Sequence, residues 1–379
     1  MLCIKKSLVG VVAVALLLAL FAPRSFAAAD ENRLLDLLVK KGIVTKEEAS
    51  ALREEISKDE ASQRAQAVVE KQAQEAQKKE QAVTSTSPFR LSGFVQTRFT
   101  TAVNTTNSLE LRRARLALDG DFGQKISYRL QLDAVRSPVL LDARVDFKLL
   151  PYARVTFGQF KVPFSQENLI SSRDLIPIER SLVVNNLVPG RDTGNNGRDI
   201  GVQLAGSLVR ASGKPLVDYS VGFFNGAGIN RRDDNRRKDG AVRVVAHPFS
   251  GFSVAGDYYN GATGATSLQK ERAGFELAYA RKLFSFRGEY IWGHDGALRK
   301  NGWYSQFVYR LGEKWQTFFR FDNFDPNRQT KNNATNTYLL GFNVFLAKYV
   351  KLQANYGVAD EQVRPHPSQT ALIQLQFQY

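Results

Sequence analysis

From about residue 90 to Tyr379 the chain alternates apolar and polar residues in segments of roughly 9–13 residues, each closed by a turn. Between Ile126 and Leu132, one parity holds Ile126, Tyr128, Leu130 and Leu132; the other holds Ser127, Arg129 and Gln131. At the far end Ala371, Ile373, Leu375, Phe377 and Tyr379 oppose Gln374, Gln376 and Gln378. Successive side chains of a strand point to opposite faces, so a period of two predicts strands with one apolar and one polar side. Sixteen such segments can be read, opening near residues 90, 108, 125, 139, 152, 199, 215, 239, 251, 271, 283, 301, 313, 334, 349 and 368.

A soluble sandwich would alternate in the same way, and the connections separate the two architectures. Links after odd strands are long and polar: 102–107, the 160s–190s, 226–238, 262–270, 294–300, 325–333 and 361–367, with Ser137-Pro138 the short exception. Links after even strands are mostly tight, at 122–124, 150–151, 248–250, 282, 312 and 347–348. Long loops at one end, short turns at the other and an even strand count predict an all-β transmembrane barrel of about sixteen antiparallel strands over residues 89–379. Aromatic residues near strand ends (Tyr258, Tyr259, Tyr290, Trp292, Trp303, Tyr304 and Trp315) suit the girdles of such a barrel.

One stretch breaks the rhythm. Between Gly158 and Gly201 there are three prolines and no period of two. A structureless loop of this length is uncommon unless functional or disordered. Phe160, Phe164, Leu169, Ile170, Leu175, Ile176, Ile178, Leu182 and Val183 argue against disorder, because they need a surface to cover. The barrel interior is the nearest one, so the segment is expected to fold into the pore and narrow it. An external lid or a partner-binding loop is the competing arrangement.

The first 88 residues are different in kind. Lys5 and Lys6, an apolar run from Leu8 to Leu20, and small residues up to Ala29 have the layout of a secretory signal over 1–29. No run of 18 apolar residues follows, so no membrane-spanning helix is expected. Residues 30–82 lack aromatics and are rich in helix formers, with Thr45-Lys46-Glu47-Glu48 as a capping box. A helical periplasmic segment is expected there, either a trimeric coiled-coil stalk or a solvated tether, joined to the barrel by a linker at 83–88.

The net charge is +15 and the pI near 9.8, and nearly all of the excess lies beyond residue 82. Parity sends Arg113, Arg115, Arg129, Arg144, Lys148, Arg243, Arg287 and Arg320 inward, leaving Leu116, Leu118, Leu130, Val145 and Phe319 for lipid. A cation on the lipid face near the midplane would cost roughly 2–4 kcal/mol. Arg112, of the wrong parity, is expected to reach headgroups near the long-loop end. The irregular loop adds Lys161, Arg173, Arg180, Arg191 and Arg198. Arginine keeps its charge and offers a fixed fork of donors, so a row of them in a wet lumen makes an anion pathway. The alternative role is structural pairing with Glu167, Asp174, Glu179, Asp133, Asp142, Asp146, Glu289 or Asp322. Basic residues dispersed one per strand in an exported chain do not form a nucleic-acid surface.

Catalytic chemistry finds little material. There are three histidines, no Gly-x-Ser-x-Gly elbow and no histidine pair at metal-ligand spacing, so no catalytic residue, metal or cofactor is expected. Two rivals to a channel are a hydrolase using His294 or His366 with a serine, and a structural or adhesive barrel plugged by its own loop.

Several blocks resemble the phosphate-selective porins O and P of Gram-negative outer membranes: Gly158-Gln-Phe-Lys-Val-Pro-Phe-Ser165, Ile178-Glu-Arg-Ser181 and Arg198-Asp-Ile-Gly-Val202. Leu111-Arg-Arg-Ala-Arg-Leu116, Phe224-Asn-Gly226 and Gly341-Phe-Asn-Val-Phe345 extend the likeness over residues 89–379. The resemblance implies a sixteen-stranded homotrimeric porin in outer-membrane lipid, with its third external loop folded inward and an arginine-lined path. It implies passage of small anions such as phosphate, chloride or organic anions. The expected pathway residues are Arg113, Arg115, Arg129, Arg144, Lys161, Arg173, Arg180, Arg191, Arg198 and Arg243.

Overall fold

The computed structural model describes residues 89–379 except 104–105, 136–138 and 212–213, together with Lys40 and Lys41. The expected signal, helical segment (but for Lys40 and Lys41), linker and Ser137-Pro138 turn lie outside the described residues. The first strands are β1 (Phe89–Ala102), β2 (Ser108–Phe122), β3 (Ile126–Asp133), β4 (Val139–Leu150) and β5 (Ala153–Lys161). After the irregular loop come β6 (Arg198–Ala211), β7 (Lys214–Phe224), β8 (Asp239–Ala246), β9 (Phe252–Thr263), β10 (Leu268–Ala280) and β11 (Phe284–Asp295). The circuit ends with β12 (Leu298–Leu311), β13 (Trp315–Asp325), β14 (Thr335–Ala347), β15 (Val350–Glu361) and β16 (Ser368–Gln378).

Each strand pairs antiparallel with its sequence neighbours, and β1 pairs with β16, with Val95 opposite Phe377, to close the barrel. Closure leaves no unpaired edge, which a sheet in lipid requires. Two links are tighter than expected. β9 and β10 extend into the 262–270 segment, and β11 and β12 into 294–300, leaving only Gly296 and Ala297 as a turn. Gly296 takes φ +55°, a conformation that lets a two-residue hairpin form.

The outer surface is apolar: Leu91, Val95, Phe99, Leu130, Phe275, Phe342 and Phe377 are exposed at alternate positions. The interior is lined with amides and charges, with Gln96, Gln306, Gln353, Gln374 and Arg320 all buried. Tyr258, Tyr290, Trp292, Trp303 and Trp315 face outward as expected, but Tyr259 and Tyr304 are almost fully buried inside. The reason is parity, since each neighbours an outward aromatic.

Arg112 also departs from expectation. The β1–β2 register shifts so that Gln96 faces Arg113 and Thr97 faces Leu111, leaving Arg112 as the extra residue of a β-bulge. The bulge turns it inward, where Arg112 Nε donates to Glu179 Oε1 at 2.8 Å.

The 162–197 loop folds inside the barrel and reaches nearly every sector of its wall. It carries two short helices, α1 (Gln166–Leu169) and α2 (Leu182–Leu187), N-capped by Ser165 and Ser181. Val183, Val184, Leu187 and Val188 are fully buried against Phe224, Ala241, Tyr259, Ile291, Tyr304 and Phe324 of β7–β13. Burying each such side chain is worth about 1.5–3 kcal/mol. Gly302 of β12 makes room for this docking, because a Cβ there would lie 2.9 Å from Val183 Cγ2. On the remaining sector Lys351 and Gln376 donate to Arg173 O, Gln353 to Ile176 O, and Gln96 to Ser172 O.

Candidate functional site

Since α2 docks on β7–β13, a gap remains between the loop and the wall of β2–β6. It holds a cavity of about 340 Å³ lined by Arg115, Arg129, Arg144, Arg154, Lys161 and Arg198, with Asp142 as the one carboxylate. Pro163, Leu169, Ser171 and Ser172 close the loop side, next to Phe160 of β5. Five of the ten expected pathway residues thus meet in one place, joined by Arg154, which the parity argument did not single out.

The strands position these cations at odds with ordinary pairing. Arg129 lies directly across from Arg144, and Lys161 from Arg198. Like charges directly opposite each other destabilise a sheet, and such local violations concentrate at functional sites. Carboxylates flank them: Arg129 Nη1 donates to Asp119 at 2.8 Å, Arg198 Nε to Asp142 Oδ1 at 2.7 Å, and Arg115 Nε to Asp133 Oδ2 at 2.9 Å. Arg144 and Arg154 share Asp146 at 3.3 and 3.6 Å.

Two further cavities continue this one along the barrel. Toward the long-loop end, about 140 Å³ is bordered by Arg112, Arg113, Arg115, Asp133 and Asn196. Toward the short turns, about 610 Å³ is bordered by Lys125, Lys148, Arg154 and Asp218. Arg115 borders the first pair of cavities and Arg154 the second, so the basic lining runs between the two ends.

Loop and wall are clamped at Glu179. Arg98 Nη1 donates to Glu179 Oε1 at 2.6 Å, Arg112 joins it at the same oxygen, and Arg113 Nη2 reaches Oε2 at 3.3 Å. Burial alone would raise the Glu179 carboxyl, but Arg113, Arg112 and Arg98 hold it down at about 2. Ser172 Oγ accepts from both Arg115 and Arg180 at 3.2 Å, a second bridge between wall and loop.

Lys161 at the end of β5 and two cations of the loop have no ion pair among the described residues and hold oxygens of the loop instead. Lys161 Nζ donates to Leu169 O and Ile170 O at 3.1 and 2.8 Å. Arg180 donates to Glu167 O and Ile170 O, and Arg191 to Asn168 Oδ1 and Asn196 O. Gly197 permits this fold of the loop, with φ +71° and Asn168 Oδ1 only 2.0 Å from where a Cβ would sit.

The other expected pathway residues lie apart. Arg113 borders the cavity at the long-loop end. Arg173 pairs with Asp174 at 3.1 Å and borders a separate cavity with Lys351 and Gln376. Arg180 and Arg191 are held within the loop. Arg243 sits on the far wall, bound to Glu276 at 2.5 and 3.0 Å and to Asp257 at 3.2 Å.

That wall sets carboxylates side by side at mid-height. The register sets Glu276 across from Glu289, Glu289 across from Tyr304, and Tyr304 across from Asp322. Glu289 Oε1 accepts from the Glu167 N–H of α1 at 2.8 Å and from Tyr304 at 2.9 Å. Arg320 pairs with Asp322 at 3.0 Å and Glu167 at 3.5 Å. These charges fasten the loop. Of the histidines, His247 meets Asp218 at 2.9 Å and His294 meets Glu271 at 3.4 Å; no serine bonds to any of the three among the described residues.

A closed barrel with an apolar exterior, a charged interior and a loop folded across its lumen defines an outer-membrane porin. The chain belongs to the family of phosphate-selective porins O and P, whose model matches residues 89–258 and 230–379. Among solved structures it is similar to the anion-selective porin from Comamonas acidovorans, at 15% identity and TM-score 0.59, covering 77% of this chain and 99% of that one. It is similar also to trimeric OmpT of Vibrio cholerae (10% identity, TM-score 0.57, 77% and 99% covered). The outer-membrane channel DcaP of Acinetobacter baumannii is a third likeness (11%, 0.56, 77% and 97%). At such identities the likeness is one of fold. No curated protein matches the chain in sequence.

Proposed function

We propose that this porin is a passive, anion-preferring diffusion channel. The observation that carries the reading is the lining of the gap between loop and wall, with six cations against one carboxylate and two like-charged pairs facing each other across strands. Anions enter past Arg112 and Arg113, pass Arg115, and move between Arg129, Arg144, Arg198 and Lys161 toward Arg154. Each site must bind weakly enough to release its ion to the next. Phosphate, chloride and organic anions are all candidates, as the family resemblance implies, and Asp142 in the lining tempers selectivity for multiply charged ions.

The assembly proposed is a homotrimer, in keeping with the trimer form of the Vibrio cholerae relative, with the 30–82 segment helical and periplasmic. A stable monomer in density-matched ultracentrifugation would speak against the trimer. Reversal potential in a planar bilayer under a potassium chloride gradient tests the function. Anion preference is expected; cation preference, or an absence of conductance, would overturn it.

A further inference from the structure

Resting on that reading, we infer that the central cavity is shaped for organic anions with an apolar body, such as aromatic carboxylates, rather than for bare inorganic ions. Its two sides differ in chemistry. The strand side supplies Arg115, Arg129 and Arg144, while the loop side presents the exposed Leu169 beside Ser171 and Ser172. An ion that keeps its water shell has no use for the second side.

Leu169 is the decisive residue. Every other apolar side chain of the 162–197 loop is buried or half-buried, whereas Leu169 is 37% exposed and borders the cavity. Its leucine body therefore faces the aqueous passage. The neighbouring backbone brings a cation to it, since Lys161 Nζ binds the carbonyls of Leu169 and Ile170. An ammonium has three donors, and two are used here. A carboxylate seated near Lys161 and the strand arginines would lay its hydrocarbon part along Leu169. A cavity of about 340 Å³ is within the range of roughly 300–1,000 Å³ typical of small-molecule sites.

The test is block of chloride current through the full-length protein in planar bilayers by benzoate, acetate and inorganic phosphate. Benzoate and acetate carry the same charge, so their ratio reads the apolar contact alone. Benzoate is expected to block at a concentration about tenfold below that of acetate, or about 1.4 kcal/mol. Leu169→Ser should bring that ratio to within about twofold, and Leu169→Met, which keeps the apolar body, should restore it. Equal block by benzoate and acetate in the wild type would overturn the inference, as would a ratio that survives Leu169→Ser. Stronger block by phosphate than by benzoate would overturn it too. The reversal potential under a chloride gradient, recorded on the same membranes, separates the failures. Anion preference without a benzoate advantage sinks this inference alone, whereas cation preference sinks both readings.

Discussion

The two walls of the lumen use the same parts to opposite ends. On β8–β13 the carboxylates Asp257, Glu276, Glu289 and Asp322 alternate with Arg243 and Arg320. There α2 presses the loop against the wall toward the long-loop end, while about 740 Å³ beside Gln166, Arg287 and Arg310 opens toward the short turns. On β2–β6 the arginines also have carboxylate partners, but the loop stands away and leaves about 340 Å³ beside them. Where apolar side chains exclude water, charges act as fasteners. Where they do not, the same kind of ion pair remains open to a passing ion. In the proposed channel, what separates a structural arginine from one along the path is thus the placement of Val183, Val184, Leu187 and Val188 more than the arginine itself.

The largest effect should come from abolishing the asymmetry. Val183→Asp puts a carboxylate into an apolar site with no exposure, and an unpaired buried charge is not tolerated. Undocking of the loop is expected, with a several-fold rise in single-channel conductance in a barrel that remains β-rich by circular dichroism. Unchanged conductance would mean that the loop does not set the passage.

Next, Arg320→Met removes the cation from Asp322 and Glu167, and breaking a buried pair costs roughly 3–5 kcal/mol. Denaturant unfolding in detergent should register that loss while the reversal potential stays on the anion side. A reversal toward cations would place Arg320 in the path and dissolve the distinction between the walls.

Smaller in energy and sharper in function is the double variant Arg144→Gln, Arg154→Gln. Both arginines are partly exposed, and the buried Asp146 they share keeps the Thr156 hydroxyl as a donor at 2.6 Å. Stability should fall by less than for Arg320→Met, and the reversal potential should shift toward zero. A constant reversal potential would remove these two from the pathway.

The smallest effect is a pH dependence. Glu179 is held at about 2, below its ordinary value near 4.3. A depressed carboxyl stabilises above its unfolded pKa, and that contribution is lost as pH falls through the folded one. The stability difference between wild type and Glu179→Gln should therefore be complete above about pH 4.3 and shrink toward pH 2. A difference that grew on acidification would contradict the clamp.

Strands were legible because the lipid enforces their period. Each start falls within three residues of where alternation placed it. The loop was legible for the converse reason, as apolar residues without a period had to find an interior. Parity tells inside from outside, but it carries no information about sector. Arg113, Arg129 and Arg243 look alike in the sequence, and only closure of the sheet and the docking of α2 send Arg243 to the fastening wall. Arg154 is hidden in the sequence for the same reason. Position along the strand suggests girdles for Tyr259 and Tyr304, although their parity points inward. The hairpin at Gly296 is hidden because Lys300 resembles a loop residue, although it lies on β12.

Arg112 has a consequence for how the chain can vary. Leu109 and Leu111 face out at odd positions, while Leu116 and Leu118 face lipid at even ones, so β2 is written in two reading frames. The bulged residue is the frameshift between them. Length at this point is as much a coded quantity as chemistry. Exchanging Arg112 for another side chain edits one letter, and deleting it would merge the two frames into one unbroken alternation with Leu109 and Leu111 still toward lipid. Inserting a residue beside it would instead turn them toward water and Glu110 toward lipid.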